Sequence, residues 1–204
     1  MGGTRVRAPV NELVDPLEID DGTLARTESD PPGVIGLDST GGGQTSGQTP
    51  VSYAQGRLGT RVGNGECFTL VDRALRAGGF KSAADFGTVA PEVNYVWGSS
   101  VPLSDLRAND IIQFRNYRFD RSVVTTTAAA IDTQEDFQER PHHTAIVESV
   151  DADGRVTVLE QNAPDGAPLS RSVLFFAASD RTVGTRRTTI AVRGTWWFYR
   201  PQTR

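Results

Sequence analysis

The stretch RPHHTAIVESVDADGRVTVLEQN, residues 140–162, decides the fold. Two runs in which apolar and polar residues alternate, residues 143–150 and 155–162, flank the turn sequence DADG at residues 151–154. Such alternation on either side of a short Asp- and Gly-containing turn is typical of a β-hairpin. The stretch therefore predicts two antiparallel strands joined by a tight turn.

Strand parity in this hairpin selects one of the chain's two histidines. If the turn is centred on residues 152–153, His143 lies opposite Glu160 or opposite Asn162, and the other of the two is its diagonal neighbour. The adjacent His142 points to the other face of the sheet. His143 is therefore the candidate general base, with Glu160 or Asn162 orienting its ring. The alternative is a histidine at a strand edge with two solvated polar neighbours.

Upstream, the stretch GNGECFTLVDRALRAGGF, residues 63–80, has apolar residues at helical spacing and ends in two glycines. It predicts a helix with Cys67 in its opening turn. Backbone N–H groups and the helix dipole favour an anion there, which would lower the thiol pKa and make Cys67 a candidate nucleophile. The alternative for a lone cysteine is a small buried apolar residue.

The remaining patterns set the fold class. Residues 108–114, 171–177 and 189–200 each have the composition of a strand. One helix followed by these strands predicts an α+β fold, in which the nucleophile helix packs on a mostly antiparallel sheet of about five strands. Residues 115–141 form a long polar connection, which is typical either of a functional rim or lid or of an irregular loop.

Composition divides the chain and excludes several function classes. Residues 1–52 hold no aromatic residue, carry eight acidic residues against three arginines, and contain a Gly-, Ser-, Thr- and Pro-rich run at 30–50. We therefore expect a flexible leader at 1–52 and one folded domain at 53–204. The near-neutral domain offers no basic stripe for nucleic acid, and neither a membrane span nor the apolar core of a signal peptide is visible.

Cofactor and metal chemistry are not expected either. The single cysteine cannot form a disulfide within the chain or a multi-cysteine metal site. Adjacent histidines on opposite strand faces cannot bind one ion without distortion.

Four segments together resemble the CHAP domain, the cysteine, histidine-dependent amidohydrolase/peptidase. They are GNGECFTLV, LSDLRANDIIQF, HHTAIVESVDADGRVTVLEQN and WWFYRP, and the resemblance covers about residues 57–200. It implies a papain-like fold close to the NlpC-type cell-wall peptidases, and a bacterial cysteine hydrolase that cleaves amide bonds in peptidoglycan. By the resemblance, Cys67 is the nucleophile, His143 the general base, and Glu160 and Asn162 the residues that orient it. A protein with that function would act at the cell wall.

The chain departs from the CHAP pattern at two places. The family's Gly-Asp turn reads Asn109-Asp110 here, and asparagine also tolerates positive φ. The long 115–141 segment is unusual and leaves the shape of the substrate open. Trp97 and His142 are candidate substrate-binding residues, although Trp97 could equally belong to the core.

Two other functions fit the same residues. A delivered effector could use the Cys–His chemistry to cleave or deamidate a protein. A non-catalytic binding module could keep the scaffold, with an ordinary thiol pKa at Cys67. The pattern leaves the oligomeric state open.

Overall fold

A computed structural model describes residues 47–91 and 93–204, which belong to one compact unit, Gly43–Arg204. Most of the predicted leader, up to residue 46, lies outside the described residues, so the division of the chain at residue 52 stays a prediction. No helix in the described part is long and apolar enough to cross a bilayer.

Two short α-helices precede the sheet. Helix α1 (Pro50–Gln55) is capped by the side chain of Thr49, which accepts a hydrogen bond from the N–H of Ser52. Helix α2 (Cys67–Ala77) ends before Gly78 and has Cys67 in its opening turn, as the sequence predicted, and the cysteine is its first residue. Two 3₁₀ turns follow, at Ala83–Asp85 and Leu103–Asp105.

The described residues form seven strands in one antiparallel sheet, in the order β1-β7-β2-β3-β4-β5, with β6 paired to β7. The strands are β1 (Ser99–Val101), β2 (Ile111–Thr126), β3 (Ile131–Val150), β4 (Arg155–Glu160), β5 (Ser170–Phe175), β6 (Ser179–Val183) and β7 (Arg186–Arg200).

The predicted α+β class with about five strands is wrong. The two helices have six and eleven residues, whereas β2, β3 and β7 alone have 16, 20 and 15, so the protein is mainly an antiparallel sheet. The polar stretch 115–141 is not a connection, because Arg118–Thr126 of β2 pairs with Ile131–Glu139 of β3. Much of this extension is exposed, so its residues lack the apolar alternation by which a half-buried strand is recognised.

The sheet is buried on both faces near the hairpin. On the helix face, α1 and α2 pack on Ile111, Ile146 and Leu159. On the opposite face, Ile112 and Val158 belong to a second core cluster that holds most of the buried phenylalanines. The alternation of side chains along β2, β3 and β4 sends neighbouring residues into these two cores.

The predicted hairpin is present as β3 and β4, with Gly154 at a φ of 86° in its turn. Its register shifts once, because a bulge at Glu148 separates the pair Val147–Val158 from the pair Ser149–Thr157. Beyond the bulge, Ile146 pairs with Leu159. Of the two predicted registers, this is the one in which Glu160 is the diagonal neighbour of His143.

The turn that precedes β2 ties α1 to the sheet. Asn109 has a φ of 75°, the left-handed conformation that asparagine was expected to tolerate there. Its Oδ1 accepts a hydrogen bond of 3.0 Å from the N–H of Val51 in α1. The carboxylate of Asp110 is buried and accepts from the guanidinium of Arg200.

Candidate active site

Cys67 is the first residue of α2, and its side chain is half-buried. The residue before it, Glu66, makes no side-chain hydrogen bond to the first turn, so the N–H groups of Cys67 and Phe68 remain available to an anion, whereas the N–H of Thr69 donates to the Glu66 carbonyl. One of them, the N–H of Phe68, donates to the sulfur of Cys67. The start of the helix thus supplies a partner for a thiolate.

A second backbone donor comes from the sheet. The N–H of Thr144 in β3 donates to the Cys67 sulfur. The β3–β4 ladder ends at the pair Ile146–Leu159, so the sulfur lies at the part of the β3 edge that β4 leaves open. This position explains how a helix on one face of the sheet reaches a histidine whose ring contacts Phe114, at 6.0 Å between ring centres, in the core of the other face.

The side chain of His143 hydrogen-bonds the Cys67 thiol and is only 5% exposed. Its Nε2 also lies 2.9 Å from Oε2 of Glu160. The carboxylate lies off the axis of the ring N–H bond, so this contact is an ion pair of poor hydrogen-bond geometry. His143 is thus held between a sulfur and a carboxylate.

Glu160 is fully buried and is paired a second time, by Arg140. The guanidinium Nε of Arg140 donates to Oε2 at 2.9 Å, and its Nη2 donates to Oε1. Sequence reasoning missed Arg140, because an arginine in a polar segment carries no signal of burial. The structure therefore extends the predicted constellation to a row of four groups, Cys67–His143–Glu160–Arg140.

Arg140 joins this row because the alternation of side chains between the two faces of the sheet is interrupted between Arg140 and His143. Strict alternation would send Arg140 and His143, three residues apart, to opposite faces. The phase changes where Asn116 of β2 adopts a φ of 53°, so that the rings of Phe114 and Tyr117, also three residues apart, pack together at 5.1 Å. Arg140 pairs with Tyr117 across the ladder and therefore lies on the same side as His143.

These contacts change the pKa values of the three titratable groups among the four predicted catalytic residues. Burial alone would raise the pKa of Cys67, but His143 and the two N–H donors outweigh it and lower the thiol pKa. Burial opposes a charge on His143 as well, yet the thiol and Glu160 raise its pKa to about 9. Arg140 and His143 likewise hold the pKa of buried Glu160 far below its usual range. Both shifts favour the thiolate and the imidazolium over the neutral thiol and imidazole.

The two residues after Glu160 hold the loop that leads into α2. The Gln161 amide accepts from the N–H of Val62 at 2.9 Å and donates to the carbonyls of Val62 and Glu66, at 3.0 and 2.7 Å. Asn162 donates to Glu66 Oε2 at 3.2 Å and accepts from the N–H of Gly166 at 2.6 Å. The structure thus places Glu160 beside His143, whereas the Asn162 amide donates to Glu66, the residue that precedes α2. The predicted role of Asn162 in orienting His143 stays a prediction.

The two predicted substrate-binding residues flank an aromatic cluster beside Cys67. Trp97 is fully buried, packs on Phe68 and Tyr95, and donates from Nε1 to Oε1 of Gln113 at 3.3 Å. The His142 ring packs on Tyr95, with ring centres 5.7 Å apart, and its Nε2 is 3.0 Å from the carbonyl of Val93. Their role in binding a substrate stays a prediction.

The arrangement can perform nucleophilic catalysis. It joins a thiol of lowered pKa to an imidazole that can take and return its proton. The described part of the chain contains no group of three or more His, Cys, Asp or Glu side chains that could hold a metal ion.

Comparison with known proteins identifies the fold of the chain. A family model described as the AIM3/BBC1 cysteine proteinase-fold domain matches residues 40–173, more than half of the chain. The match supports a papain-like cysteine proteinase fold, and it is coarser than the CHAP resemblance, because it names neither that specificity nor peptidoglycan. No curated protein and no solved structure matches the chain.

Proposed function

The chain belongs to the AIM3/BBC1 cysteine proteinase-fold domain family, and we propose that it is a cysteine-dependent hydrolase of amide bonds. The observation that carries the proposal is the buried His143 ring, hydrogen-bonded to the Cys67 thiol on one side and 2.9 Å from the Glu160 carboxylate on the other. A non-catalytic module has no need to stabilise a thiolate with one imidazole and two backbone N–H groups.

The reaction follows from the roles that these groups can take. The Cys67 thiolate attacks the carbonyl carbon of the amide, and the negative charge moves to the carbonyl oxygen. As the C–N bond breaks, protonated His143 gives its proton to the leaving amine, and a thioester to Cys67 remains. Neutral His143 then takes a proton from water, whose oxygen attacks the thioester and releases the acid and the thiolate.

The start of α2 supplies one donor for the oxyanion. The N–H of Cys67 lies in the first turn of α2 and has no acceptor within the helix. Such a donor typically contributes about 2.7 to 4 kcal/mol of transition-state stabilisation.

For the substrate, we propose the peptide amide bonds of peptidoglycan. The support is the resemblance of the segments around Cys67, Asn109, His143 and Glu160 to the CHAP domain. A delivered effector that acts on a host protein would use the same four groups, so the substrate test includes a protein arm.

The test compares the wild type with Cys67→Ala on purified muropeptides and on a proteome digest, with new amino termini read by mass spectrometry. We expect new termini in the muropeptides and a loss of several orders of magnitude in rate for the variant. Equal cleavage by Cys67→Ala would refute the proposed mechanism, and cleavage confined to proteins would refute the proposed substrate.

A matched pair of histidine variants tests the mechanism without a substrate. Since Cys67 is the only cysteine, alkylation by iodoacetamide reports its thiolate alone. A free thiol of pKa about 8.5 is only about 0.3% ionised at pH 6. We expect His143→Gln to alkylate at least tenfold more slowly than the wild type at pH 6, and His142→Gln, whose ring faces Val93, to stay within twofold. Equal rates for the two variants would contradict the assignment of His143.

A further inference from the structure

The Arg140 side chain is the buried cation of the site, at 8% exposure, and four of its five N–H donors are bonded. Besides the forked pair with Glu160, Nη1 donates to the carbonyl of Glu139 and Nη2 to Oε1 of Gln138, both at 2.8 Å. A guanidinium carries its donors in a rigid plane, so these bonds fix its orientation. Arg140 therefore restricts the position of the carboxylate that it binds.

Oxygen Oε2 of Glu160 is shared between two cations. It lies 2.9 Å from Nε of Arg140 and 2.9 Å from Nε2 of His143. The contact with Arg140 meets hydrogen-bond geometry, whereas the contact with the ring is off-axis. The position of the carboxylate thus follows Arg140 rather than His143.

The charge of Glu160 depends on the same neighbour. A carboxylate with no exposed surface loses its hydration, and a cation with good hydrogen bonds is needed to keep it ionised. The titratable and charged groups around it are Cys67 on α2, His143 and Arg140 on β3, and Tyr117 on β2, with Glu139 farther out. The Tyr117 hydroxyl donates to the carbonyl of Phe175, and burial raises its pKa, so it remains neutral. Arg140 is then the one permanent cation facing Glu160 among the described residues.

We propose that Arg140 is a positioning residue of the Cys67–His143–Glu160 site: it keeps Glu160 ionised and aligned, and thereby keeps His143 protonated beside the thiolate. The role of Arg140 in catalysis rests on the proposed hydrolase function, but its effect on the ionisation of the Cys67 thiol can be measured without a substrate. Without Arg140, the row has an unbalanced buried carboxylate, which takes up a proton and ceases to stabilise the imidazolium.

The test is the rate of iodoacetamide alkylation of Cys67 between pH 4 and 10 in the full chain. The variants are Arg140→Met, which removes the charge, and Arg140→Lys, which keeps the charge but loses the fork. The control is Arg171→Met, because Arg171 also makes a forked pair, with Glu148, but its own side chain is 49% exposed.

We expect the wild type to alkylate at low pH, and Arg140→Met to titrate near the free-thiol value of about 8.5, with at least a tenfold lower rate at pH 6. Arg140→Lys should lie between them, and Arg171→Met should follow the wild type. An Arg140→Met profile that superimposes on the wild type overturns the proposal. If tryptophan fluorescence shows that Arg140→Met does not fold, the Arg140→Lys variant provides the test instead, and a pH profile identical to that of the wild type then overturns the proposal.

The outcomes separate this proposal from the proposed function. If the thiol titration depends on Arg140 but no amide substrate is cleaved, the hydrolase proposal fails and the role of Arg140 in holding the thiolate stands. If amides are cleaved with the same pH profile and kcat in Arg140→Met, the role of Arg140 fails and the hydrolase stands.

Discussion

Replacing Glu160 by glutamine should cost far more stability than the same change at Glu148, although both carboxylates bind an arginine fork. Glu160 has no exposed surface and its partner Arg140 has 8%, whereas the side chains of Glu148 and Arg171 are 11% and 49% exposed. Removing one partner of a buried pair leaves the other charge without compensation, which costs about 3 to 5 kcal/mol. A solvated pair contributes about 0 to 1 kcal/mol.

Glutamine keeps the shape of the side chain and one acceptor for Arg140, so we expect about 3 kcal/mol for Glu160→Gln. For a chain of this length, that lowers the melting temperature by roughly 6 to 12 °C. Urea titration and thermal melting at pH 7, followed by tryptophan fluorescence, measure both variants.

The pH dependence of this difference provides a second check. Because the folded-state pKa of Glu160 is lowered, its contribution is fully present above the unfolded value of about 4.3 and is lost as the pH falls toward the folded value. The stability gap between the wild type and Glu160→Gln should therefore be constant from pH 5 to 7 and narrow below about pH 4. Equal losses for the variants at positions 160 and 148, or a gap that does not change in acid, would refute the argument from burial.

Two further changes test the loop before α2 and the imidazolium. Gln161→Leu should cost about 1 to 3 kcal/mol in urea titration, because it leaves the N–H of buried Val62 without its acceptor. The Val62 carbonyl loses the Gln161 amide but keeps the N–H of Gly65 as a donor. The Val62 amide should also exchange faster with deuterium, and an unchanged stability and exchange rate would contradict this. Since the pKa of His143 is raised to about 9, its stabilisation is complete below the unfolded value of about 6.5 and is lost as the pH rises toward 9. We expect the wild type to lose on the order of 1 to 3 kcal/mol more than His143→Gln across that range, and parallel curves would show that the ring carries no extra proton.

The parts of the fold that were predicted are those whose pattern is local. Helix α2 and the β3–β4 hairpin have clear periods and strong end signals, and both are present. The outer half of β2 and β3 is also a local hairpin, but the residues that β3 contributes to it are mostly exposed and polar, so they lack the apolar alternation that identifies a half-buried strand. Strand β6 (Ser179–Val183) is exposed throughout and carries no apolar alternation at all. These missing strands account for the wrong fold class.

The site residues that could be predicted are likewise those that a local pattern identifies. Parity placed His143 and Glu160 on one face, and the helix start made Cys67 a candidate, because both arguments use only neighbouring residues. Arg140 required knowledge of the phase change at Asn116, where asparagine adopts a positive φ in the middle of a strand. The carbonyl oxygen of Asn116 would lie 2.2 Å from a Cβ at position 194, so this arrangement needs the glycine found there. A strand pattern that assumes strict alternation cannot foresee such a contact.

The charges of the row bear on the proposed reaction itself. In the ion-pair state that these contacts favour, the row Cys67–His143–Glu160–Arg140 consists of a thiolate, an imidazolium, a carboxylate and a guanidinium and has no net charge. When the sulfur attacks the amide, its negative charge moves to the carbonyl oxygen of the substrate, and the four side chains of the row are left with one excess positive charge. Of its two cations, only His143 can give up a proton, since the guanidinium does not titrate in this range. Transfer of that proton to the leaving amine restores the balance, so on the proposed mechanism the burial of Glu160 with Arg140 favours protonation of the leaving group at the step where it is needed.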